Sequence, residues 1–405
     1  MKKLLVILLI LTMIMPSTVY ALVPTNQSFQ EETVLSEVED QVVNGEGLIP
    51  SAKSGLLMEA STGTVLFEKE KDTKVSVASM TKMVLQIIVL EKVEAGKLKW
   101  DKVIKVSKNA AGMGGSQIYL QAGERMNIRD LFKGVSMASA NDASVALAEE
   151  ISGSEADFVK LMNKKVRELG LKNTKFKNCT GLDEEDHYSS AYDMAIIARE
   201  LLKHEQILDY ASVYEDYLRV NTPNKFWLVN TNKLVRFYEG ADGLKTGHTD
   251  AAKYCLAATA KRNNIRLIAI VLGVDQGKIR NSETMELLDY GFQNFKMKII
   301  KKQDTNMKII HLDKADKEKI NLVPSYDVGV LQNKNDTDKK YTYDIKVDTI
   351  VLPVKKGDIV GEIHVKEKNK VIQKVPLISN TTAKKISFPK LYLKILRETF
   401  VGEFY

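Results

Sequence analysis

Apolar residues recur with two different spacings along this chain, and the two spacings predict where strands and helices lie. Residues 56–58 and 64–67 are short apolar runs on either side of Ser61-Thr62-Gly63, a pattern typical of a β-hairpin. Between residues 79 and 94 the apolar positions are three to four residues apart and Gly96 follows, which predicts a helix. The same spacing predicts helices in five later segments: 128–135, 143–151, 155–169, 191–202 and 281–292.

Strand-like runs dominate after Gly243. Residues 254–260 and 265–273 are β-like stretches separated by the polar turn 261–264. Strands before and after a helical middle predict a mixed α/β domain over residues 49–297. Four later alternating runs, with turn residues between them, predict a small all-β domain over residues 298–382: 308–312, 341–347, 349–354 and 361–365.

The final segment, 383–405, interleaves apolar with basic residues. Most of its apolar residues recur every three to four positions and would share one helical face beside the basic ones: Ile386, Phe388, Leu391, Ile395, Leu396 and Phe400 against Lys384, Lys385, Lys390, Lys394 and Arg397. This pattern predicts an amphipathic helix that lies in a membrane interface. A helix packed on its own domain is the alternative.

The N-terminal segment, 1–21, has the three parts of a signal peptide. Lys2 and Lys3 precede an apolar run over 4–15, and the small-x-small sequence Val19-Tyr20-Ala21 follows it. An uncleaved anchor is the alternative, although the run is short for a bilayer span. Residues 22–48 are polar and acidic without periodicity and predict a flexible linker. We therefore expect an exported protein, attached peripherally to the outer face of the cytoplasmic membrane.

Composition and charge support this picture. The chain has 405 residues, enough for two domains, with 44% hydrophobic and 27% charged residues, the balance of a folded protein. The net charge is +7, and residues 301–405 alone carry +7, whereas residues 22–300 carry −2. A basic C-terminal quarter suits an anionic membrane surface, and for an exported protein a nucleic acid is not the expected partner.

Metal-ligand spacings are not found in the sequence. The five histidines are scattered, and neither Cys179 nor Cys255 has a metal-binding neighbour pattern. We expect no metal and no cofactor. The two cysteines predict buried thiols, with a disulfide between them left open.

Candidate chemistry begins at Ser79-Met80-Thr81-Lys82. Positions i and i+3 share a helical face, so the lysine can reach the serine hydroxyl and act as its base if burial lowers the lysine pKa. The pattern alone is weak evidence, because it recurs without meaning at Ser387-Phe388-Pro389-Lys390. An N-cap serine is the alternative.

Two further motifs follow in order. Ser139-Ala140-Asn141 offers a second hydroxyl and an amide, although Ser107-Lys108-Asn109 has the same form and a helix-capping turn would explain either. Lys245-Thr246-Gly247 occurs once and leads towards the β-like stretch, where a cation and a hydroxyl could hold a substrate carboxylate. Gly247 would leave room for the substrate beside the backbone. The combination of all three motifs is far more specific than any one.

Together the motifs resemble those of penicillin-binding proteins and class A β-lactamases. Ser-Ala-Asn in place of Ser-Asp-Asn makes the chain more similar to the low-molecular-weight penicillin-binding proteins, the D-alanyl-D-alanine carboxypeptidases of peptidase family S11. The most recognisable string is 242–250, Asp-Gly-Leu-Lys-Thr-Gly-His-Thr-Asp. The resemblance covers about 49–297, and the later β domain and amphipathic end match the family by layout.

This resemblance implies a fold, a reaction and a role for each motif residue. It implies a penicillin-binding, β-lactamase-like domain that removes the terminal D-alanine from peptidoglycan pentapeptides through an acyl-enzyme, and that β-lactams acylate. The implied roles in the first two motifs are nucleophile for Ser79, general base for Lys82, proton relay for Ser139 and substrate positioning for Asn141. Lys245 and Thr246 would bind the substrate carboxylate, and Arg280 would be a basic group near it. The backbone N–H groups of Ser79 and His248 would form the oxyanion hole.

Three alternatives remain open from the sequence. A serine β-lactamase would need a Glu-x-x-x-Asn pair between the second and third motifs, and Glu184 and Glu185 lack the asparagine. A D,D-endopeptidase of the same fold would use the same residues. A non-catalytic wall-binding protein would have no need of the intact motif set.

Overall fold

The structure is a computed structural model and describes residues 43–44, 47–337 and 339–401. The predicted signal peptide and most of the predicted linker lie outside the described residues. Ten strands belong to the first domain in the described part of the chain: β1 Val43–Asn44, β2 Ser54–Glu59, β3 Val65–Lys69, β4 Val103–Lys105, β5 Arg125–Asn127, β6 Glu215–Leu218, β7 Phe226–Val229, β8 Ala241–Thr249, β9 Lys253–Arg262 and β10 Ile265–Val274.

A six-stranded sheet forms the centre of this domain, in the order β1-β3-β2-β10-β9-β8. The neighbours pair antiparallel except β1 with β3, which are parallel. The predicted hairpin is the β2–β3 pair. Strand β8, which carries the Lys-Thr-Gly motif, lies at an edge of the sheet, so one side of its backbone is available to a ligand.

Helices cover both faces of the sheet. They are α1 Lys82–Glu94, α2 Lys108–Ala111, α3 Ile128–Ala138, α4 Asn141–Ser152, α5 Glu155–Glu168, α6 Ala191–Leu202, α7 Leu208–Ala211, α8 Leu234–Phe237 and α9 Gly277–Asn294, with 3-10 turns at Ala78–Thr81 and Glu205–Ile207. The largest apolar cluster packs α1 and α3–α6 against one face, and a second packs α9 against the other. The helices predicted from apolar spacing are therefore all present.

Short polar residues fix where several helices begin. The side chains of Asn127, Ser154 and Ser190 each accept a hydrogen bond from the backbone N–H three residues later, at the starts of α3, α5 and α6. Such caps satisfy N–H groups that have no partner inside the helix. The helix predicted over 79–94 differs from the structure in its first turn, which is the 3-10 turn before α1.

The second domain is all β, as predicted. Its strands are β11 Phe295–Lys301, β12 Lys308–His311, β13 Lys319–Pro324, β14 Val328–Asn333, β15 Tyr341–Val347, β16 Ile359–Glu367 and β17 Lys370–Ser379. A five-stranded sheet has the order β12-β13-β17-β16-β15, and β11 pairs with β14. Because α9 ends at Asn294 and β11 begins at Phe295, the structural boundary lies three residues before the predicted one.

One predicted strand of this domain, 349–354, is wrong. Within it only Val354 pairs, in a single bridge to Ala383. Val351 is 76% exposed, and Pro353 has no backbone N–H to give to a ladder. The sequence pattern also missed β11, β13, β14 and β17, and apolar residues of the last three contribute to the core of the domain.

The C-terminal helix, α10, spans Phe388–Val401 and begins five residues later than predicted. Residues 383–386 are instead hydrogen-bonded to the β domain. Ala383 forms a β-bridge with Val354, and the N–H of Ile386 donates to the carbonyl of Lys314. Four apolar side chains of α10 are at least half exposed: Phe388, Tyr392, Leu393 and Ile395. A search of the described residues finds no helix with the length and apolarity required to cross a bilayer.

Candidate active site

Ser79 lies on the 3-10 turn immediately before α1, in a place where three backbone segments meet. A Cβ added to Gly181 would lie 2.0 Å from the Ala78 carbonyl oxygen, and one added to Gly247 would lie 2.6 Å from the Val77 carbonyl oxygen. No side chain fits in either gap, so glycine is required at both positions for β8 and the 181 loop to approach the serine backbone. The close approach of Gly247 brings the Lys-Thr-Gly strand to Ser79.

Lys82 is fully buried, and its ammonium nitrogen has three oxygen neighbours. The Nζ atom lies 2.8 Å from Ser79 Oγ, 2.7 Å from Asn141 Oδ1 and 2.6 Å from the carbonyl oxygen of Thr180. Burial lowers the pKa of Lys82 to about 7, because the charged form loses its hydration. An amine with that pKa is neutral in a large fraction of molecules at neutral pH and can accept the serine proton.

Asn141 opens α4 and is held on both sides of its amide. Its Oδ1 accepts from Lys82, and its Nδ2 donates to the carbonyl of Gly114 at 2.7 Å. The next residue, Asp142, accepts from the backbone N–H groups of Ile118 and Leu120 and so fixes the loop that contains Gly114. The amide of Asn141 is therefore oriented before any substrate binds.

Ser139 ends α3 in a left-handed conformation, with φ of 62°. This conformation costs a residue other than glycine about 1–3 kcal/mol. Its side chain is 4% exposed, and Oγ is buried without a hydrogen-bond partner in the described structure. A strained residue with an unsatisfied hydroxyl, two positions before Asn141, is suited to transfer a proton.

Lys245 and Thr246 are both buried on β8. Lys245 is 1% exposed, and its Nζ donates to the Thr246 carbonyl at 3.0 Å. Burial lowers the pKa of Lys245 well below its usual value, and the nearby charges of Lys82 and Arg280 lower it further. The Thr246 hydroxyl donates to Thr231 Oγ1 at 2.8 Å.

Arg280 approaches β9, the strand paired with β8, from α9. Its guanidinium donates to the carbonyl of Cys255 at 3.2 Å, and Cys255 is the register partner of Gly247. Arg280 is 7% exposed, and burial lowers its pKa. Within the described residues, Lys82, Lys245 and Arg280 form no ion pair with a carboxylate. Lys245 and Arg280 are thus buried basic groups without counter-ions, an arrangement that suits an anionic ligand.

His248 is exposed, and its imidazole packs at a tilt against Tyr254, with 4.1 Å between the ring centroids and 33° between the ring planes. The ring of His248 therefore contacts Tyr254, whereas the backbone of His248 continues directly from Gly247. Both cysteines are buried and free, as expected. Burial raises the pKa of the Cys179 and Cys255 thiols, so neither is a reactive thiolate.

Several site residues were missed by the sequence motifs. Thr180 and Gly114 contribute carbonyl oxygens, which the identity of a residue does not reveal. Thr231 is 15 residues before Thr246 and carries no motif. His187 donates from Nε2 to the hydroxyl of Thr81 at 2.8 Å, with Nδ1 accepting from a backbone N–H. Burial lowers its pKa to about 4, so it is neutral at pH 7.

Comparison with known families identifies both domains. The family described as D-alanyl-D-alanine carboxypeptidase matches residues 45–276, and the one described as penicillin-binding protein 5, C-terminal domain, matches residues 295–385. A curated relative, D-alanyl-D-alanine carboxypeptidase DacF of Bacillus subtilis, is 46% identical over 84% of this chain and 88% of its own length.

Solved structures have the same architecture. Penicillin-binding protein 5 from Haemophilus influenzae is 30% identical, with a TM-score of 0.65, and the match covers 83% of this chain and 98% of that one. Penicillin-binding protein D2 from Listeria monocytogenes, in its ampicillin-bound form, is 31% identical, with a TM-score of 0.54, over 60% of this chain and 98% of that one.

Proposed function

The chain belongs to the peptidase S11 family of D-alanyl-D-alanine carboxypeptidases, and we propose that it releases the terminal D-alanine of peptidoglycan pentapeptides through an acyl-enzyme on Ser79. The observation that carries this proposal is the 2.8 Å contact between Ser79 Oγ and the fully buried Nζ of Lys82. Its test is the loss of the acyl-enzyme when Ser79 is replaced by alanine.

In the proposed acylation, Ser79 Oγ attacks the carbonyl carbon between the two D-alanines. Lys82 takes the hydroxyl proton as the O–C bond forms. As the C–N bond breaks, the hydroxyl of Ser139 donates its proton to the departing amine and regains one from Lys82, which returns Lys82 to its neutral form. Water then hydrolyses the ester and returns the free serine. Asn141 holds the peptide and the lysine in one geometry through its oriented amide.

Charge complementarity supports the choice of substrate. A peptide that ends in D-alanine carries a terminal carboxylate, and Lys245 with Thr246 offers it a cation and a hydroxyl. The charge of Arg280 raises the positive potential of the same pocket. The backbone N–H groups of Ser79 and His248 are the proposed oxyanion hole. The close packing of Gly247 on the serine turn supports this role for the adjacent backbone.

β-Lactams are proposed covalent inhibitors of the same serine. The Listeria relative carries ampicillin in its solved form, and it is 31% identical to this chain over the matched 60% of the chain. A β-lactam places a strained amide beside a carboxylate and so presents the two groups that Ser79 and Lys245 would recognise. The slow release expected of a penicillin-binding protein, as opposed to rapid turnover, distinguishes this activity from that of a β-lactamase.

We expect Lys245→Met to lower kcat/KM for a D-alanyl-D-alanine peptide by about 10- to 150-fold, the loss of one charge-assisted hydrogen bond. The same change should raise Tm, because it removes a buried amine whose charged form is poorly solvated. The pKa of Lys245 is lowered in the folded state, so the gain in Tm should shrink as pH rises towards about 10, where the unfolded lysine also loses its proton.

Steady-state kinetics and thermal melts between pH 6 and 10 check both parts of the Lys245→Met prediction. Lys261→Met is the matched control, since Lys261 is an exposed lysine of neighbouring β9. It should leave kcat/KM and the pH dependence of Tm unchanged. Unchanged kcat/KM in Lys245→Met would remove this residue from the carboxylate site.

We also propose that the protein is exported and that α10 lies on the anionic outer face of the cytoplasmic membrane. The exposed apolar side chains of α10 and the basic excess of the C-terminal quarter support this. Phe388 and Tyr392 stack at i and i+4, with 6.5 Å between their ring centroids, and so belong to one face of the helix.

Truncation after Ser387 should move the protein from the membrane fraction to the soluble fraction. This cut keeps residues 383–386, which pair with the β domain, so the fold is retained. Sedimentation with vesicles that contain about a third anionic lipid measures the change. Phe388→Asp with Tyr392→Asp should act like the truncation, whereas Thr342→Asp on the β domain should not. Equal vesicle binding by all variants would contradict the role of α10.

A further inference from the structure

A cluster of possible metal ligands lies at the far end of α1 from the active site. One carboxylate oxygen each from Glu91 and Glu200 and one ring nitrogen of His204 lie within 4.8 Å of one another. Glu91 is in the last turn of α1, Glu200 is in the last turn of α6, and His204 follows that helix. No sequence motif predicts this group, because more than 100 residues separate Glu91 from the other two.

His204 has one satisfied nitrogen and one that is not. Its Nδ1 donates to the two carboxylate oxygens of Glu94, at 2.8 and 2.9 Å. Its Nε2 is buried and has no hydrogen-bond partner in the described structure, and the residue is 9% exposed. A histidine whose Nδ1–H is held by a carboxylate presents the Nε2 lone pair, which is the arrangement that orients metal-binding histidines.

The electrostatics of the cluster also favour a cation. The C-terminal ends of two helices meet here, and each end carries partial negative charge. Glu91, Glu94 and Glu200 add three carboxylates to these ends. Two lysines compensate part of this charge.

Each of these lysines forms an ion pair with one of the glutamates. Lys165 Nζ lies 2.7 Å from Oε1 of Glu91, and Lys203 Nζ lies 2.9 Å from Oε2 of Glu200. A carboxylate has two oxygens, so one that is paired with a lysine can still bind a metal through the other.

We propose that Glu91, Glu200 and His204 Nε2 bind a divalent transition-metal cation of the zinc class, with Glu94 orienting the imidazole. Two carboxylates and one imidazole suit Zn²⁺, with water as the fourth ligand. Ligand atoms around a tetrahedral zinc are about 3.4 Å apart, so atoms that now lie within 4.8 Å need to close by about 1.4 Å at most, which the partly exposed glutamate side chains allow.

The bound cation would be a structural link between α1 and α6. Glu91 is about 14 Å along α1 from Lys82, at 1.5 Å per residue, so the cation takes no part in the chemistry at Ser79. It would fix the helix that carries Lys82 against α6. This site is independent of the proposed function, and its failure would leave that function unchanged.

Isothermal titration of the metal-stripped, untagged full chain with zinc chloride tests the proposal. We expect one zinc per chain, a higher Tm in its presence, and loss of binding by at least about 100-fold in His204→Ala. Glu94→Gln should weaken binding by about 10- to 100-fold through the orientation of His204 alone. Lys203→Gln should strengthen it, because this lysine competes for Glu200.

His364→Ala is the matched control, since His364 also pairs with a glutamate, Glu362, at 2.7 Å but in the β domain. It should bind zinc as the parent does. Labelling by a fluorescent penicillin reports that each variant is folded, and Glu200→Gln replaces His204→Ala if that variant is not. No zinc binding up to millimolar concentration, or equal binding in the parent, His204→Ala and Glu200→Gln, would overturn the proposal.

Discussion

Replacement of Ser79 by alanine should abolish the covalent penicillin adduct and lower D-alanine release by about 10⁴-fold or more. The change removes the only atom proposed to form the acyl ester, and no described side chain near it is a thiolate or another activated hydroxyl. Mass spectrometry of the intact protein after penicillin measures the adduct, and release of D-alanine from a pentapeptide measures turnover.

The chain supplies its own control for this experiment. Ser387-Phe388-Pro389-Lys390 has the same four-residue form as the nucleophile motif, but it precedes and opens α10. Ser387→Ala should be acylated and active like the parent. A full adduct in Ser79→Ala, or loss of the adduct in Ser387→Ala, would disprove the assignment of the nucleophile.

Replacement of Lys82 by arginine should lower the acylation rate by about 10²- to 10⁴-fold, the usual contribution of a general base. Arginine keeps the charge and much of the length of lysine, but it cannot lose its proton at any working pH. In the parent the pKa of Lys82 is about 7. Since only the neutral amine accepts a proton, the acylation rate should rise about tenfold per pH unit below 7 and level off above it.

Stopped-flow acylation with a chromogenic cephalosporin between pH 5 and 9 checks this profile. His248→Gln is the control, because it removes the imidazole next to the Lys-Thr-Gly motif, and the midpoint of its profile should stay near 7. His187→Gln should also keep the midpoint, because burial lowers the pKa of His187 to about 4. A rate that does not depend on pH, or a midpoint that disappears in His248→Gln, would assign the base elsewhere.

Apolar spacing predicted the first domain well because its helices and central strands are long and strongly periodic. The run over β10 is buried on both faces, and α6 was predicted with the bounds that the structure has. The second domain was predicted as all β, yet its individual strands were less certain. Apolar residues are adjacent in β13 and β17, as at Leu322-Val323 and Leu377-Ile378, so period-two alternation is weak in their sequences.

The motif residues were found from the sequence because the chemistry requires particular side chains at fixed spacings. Their partners were not, because the tertiary fold brings them together from distant positions. The carbonyl of Thr180 reaches Lys82 across 98 residues, and a carbonyl oxygen has no signature in the sequence. The unsatisfied hydroxyl of Ser139 and the buried state of Lys245 likewise depend on packing that no local pattern encodes.

The junction between the two domains contains no linker. Helix α9 ends at Asn294, β11 begins at the next residue, and β11 pairs with β14 of the second domain. Lys334, just after β14, donates two hydrogen bonds to the end of α9. Its backbone N–H donates to the carbonyl of Asn294, and its Nζ donates to the carbonyl of Phe292.

With α10 on a membrane, this junction would make the β domain a rigid spacer. The active-site serine would then lie at a fixed distance from the lipid surface. It would reach peptides only in a thin layer of the wall at that distance. Peptides in that layer would lose their terminal D-alanine, and peptides farther from the membrane would keep it. Insertion of a short flexible segment after Asn294 should therefore widen the layer in which peptides are trimmed, without changing the chemistry at Ser79.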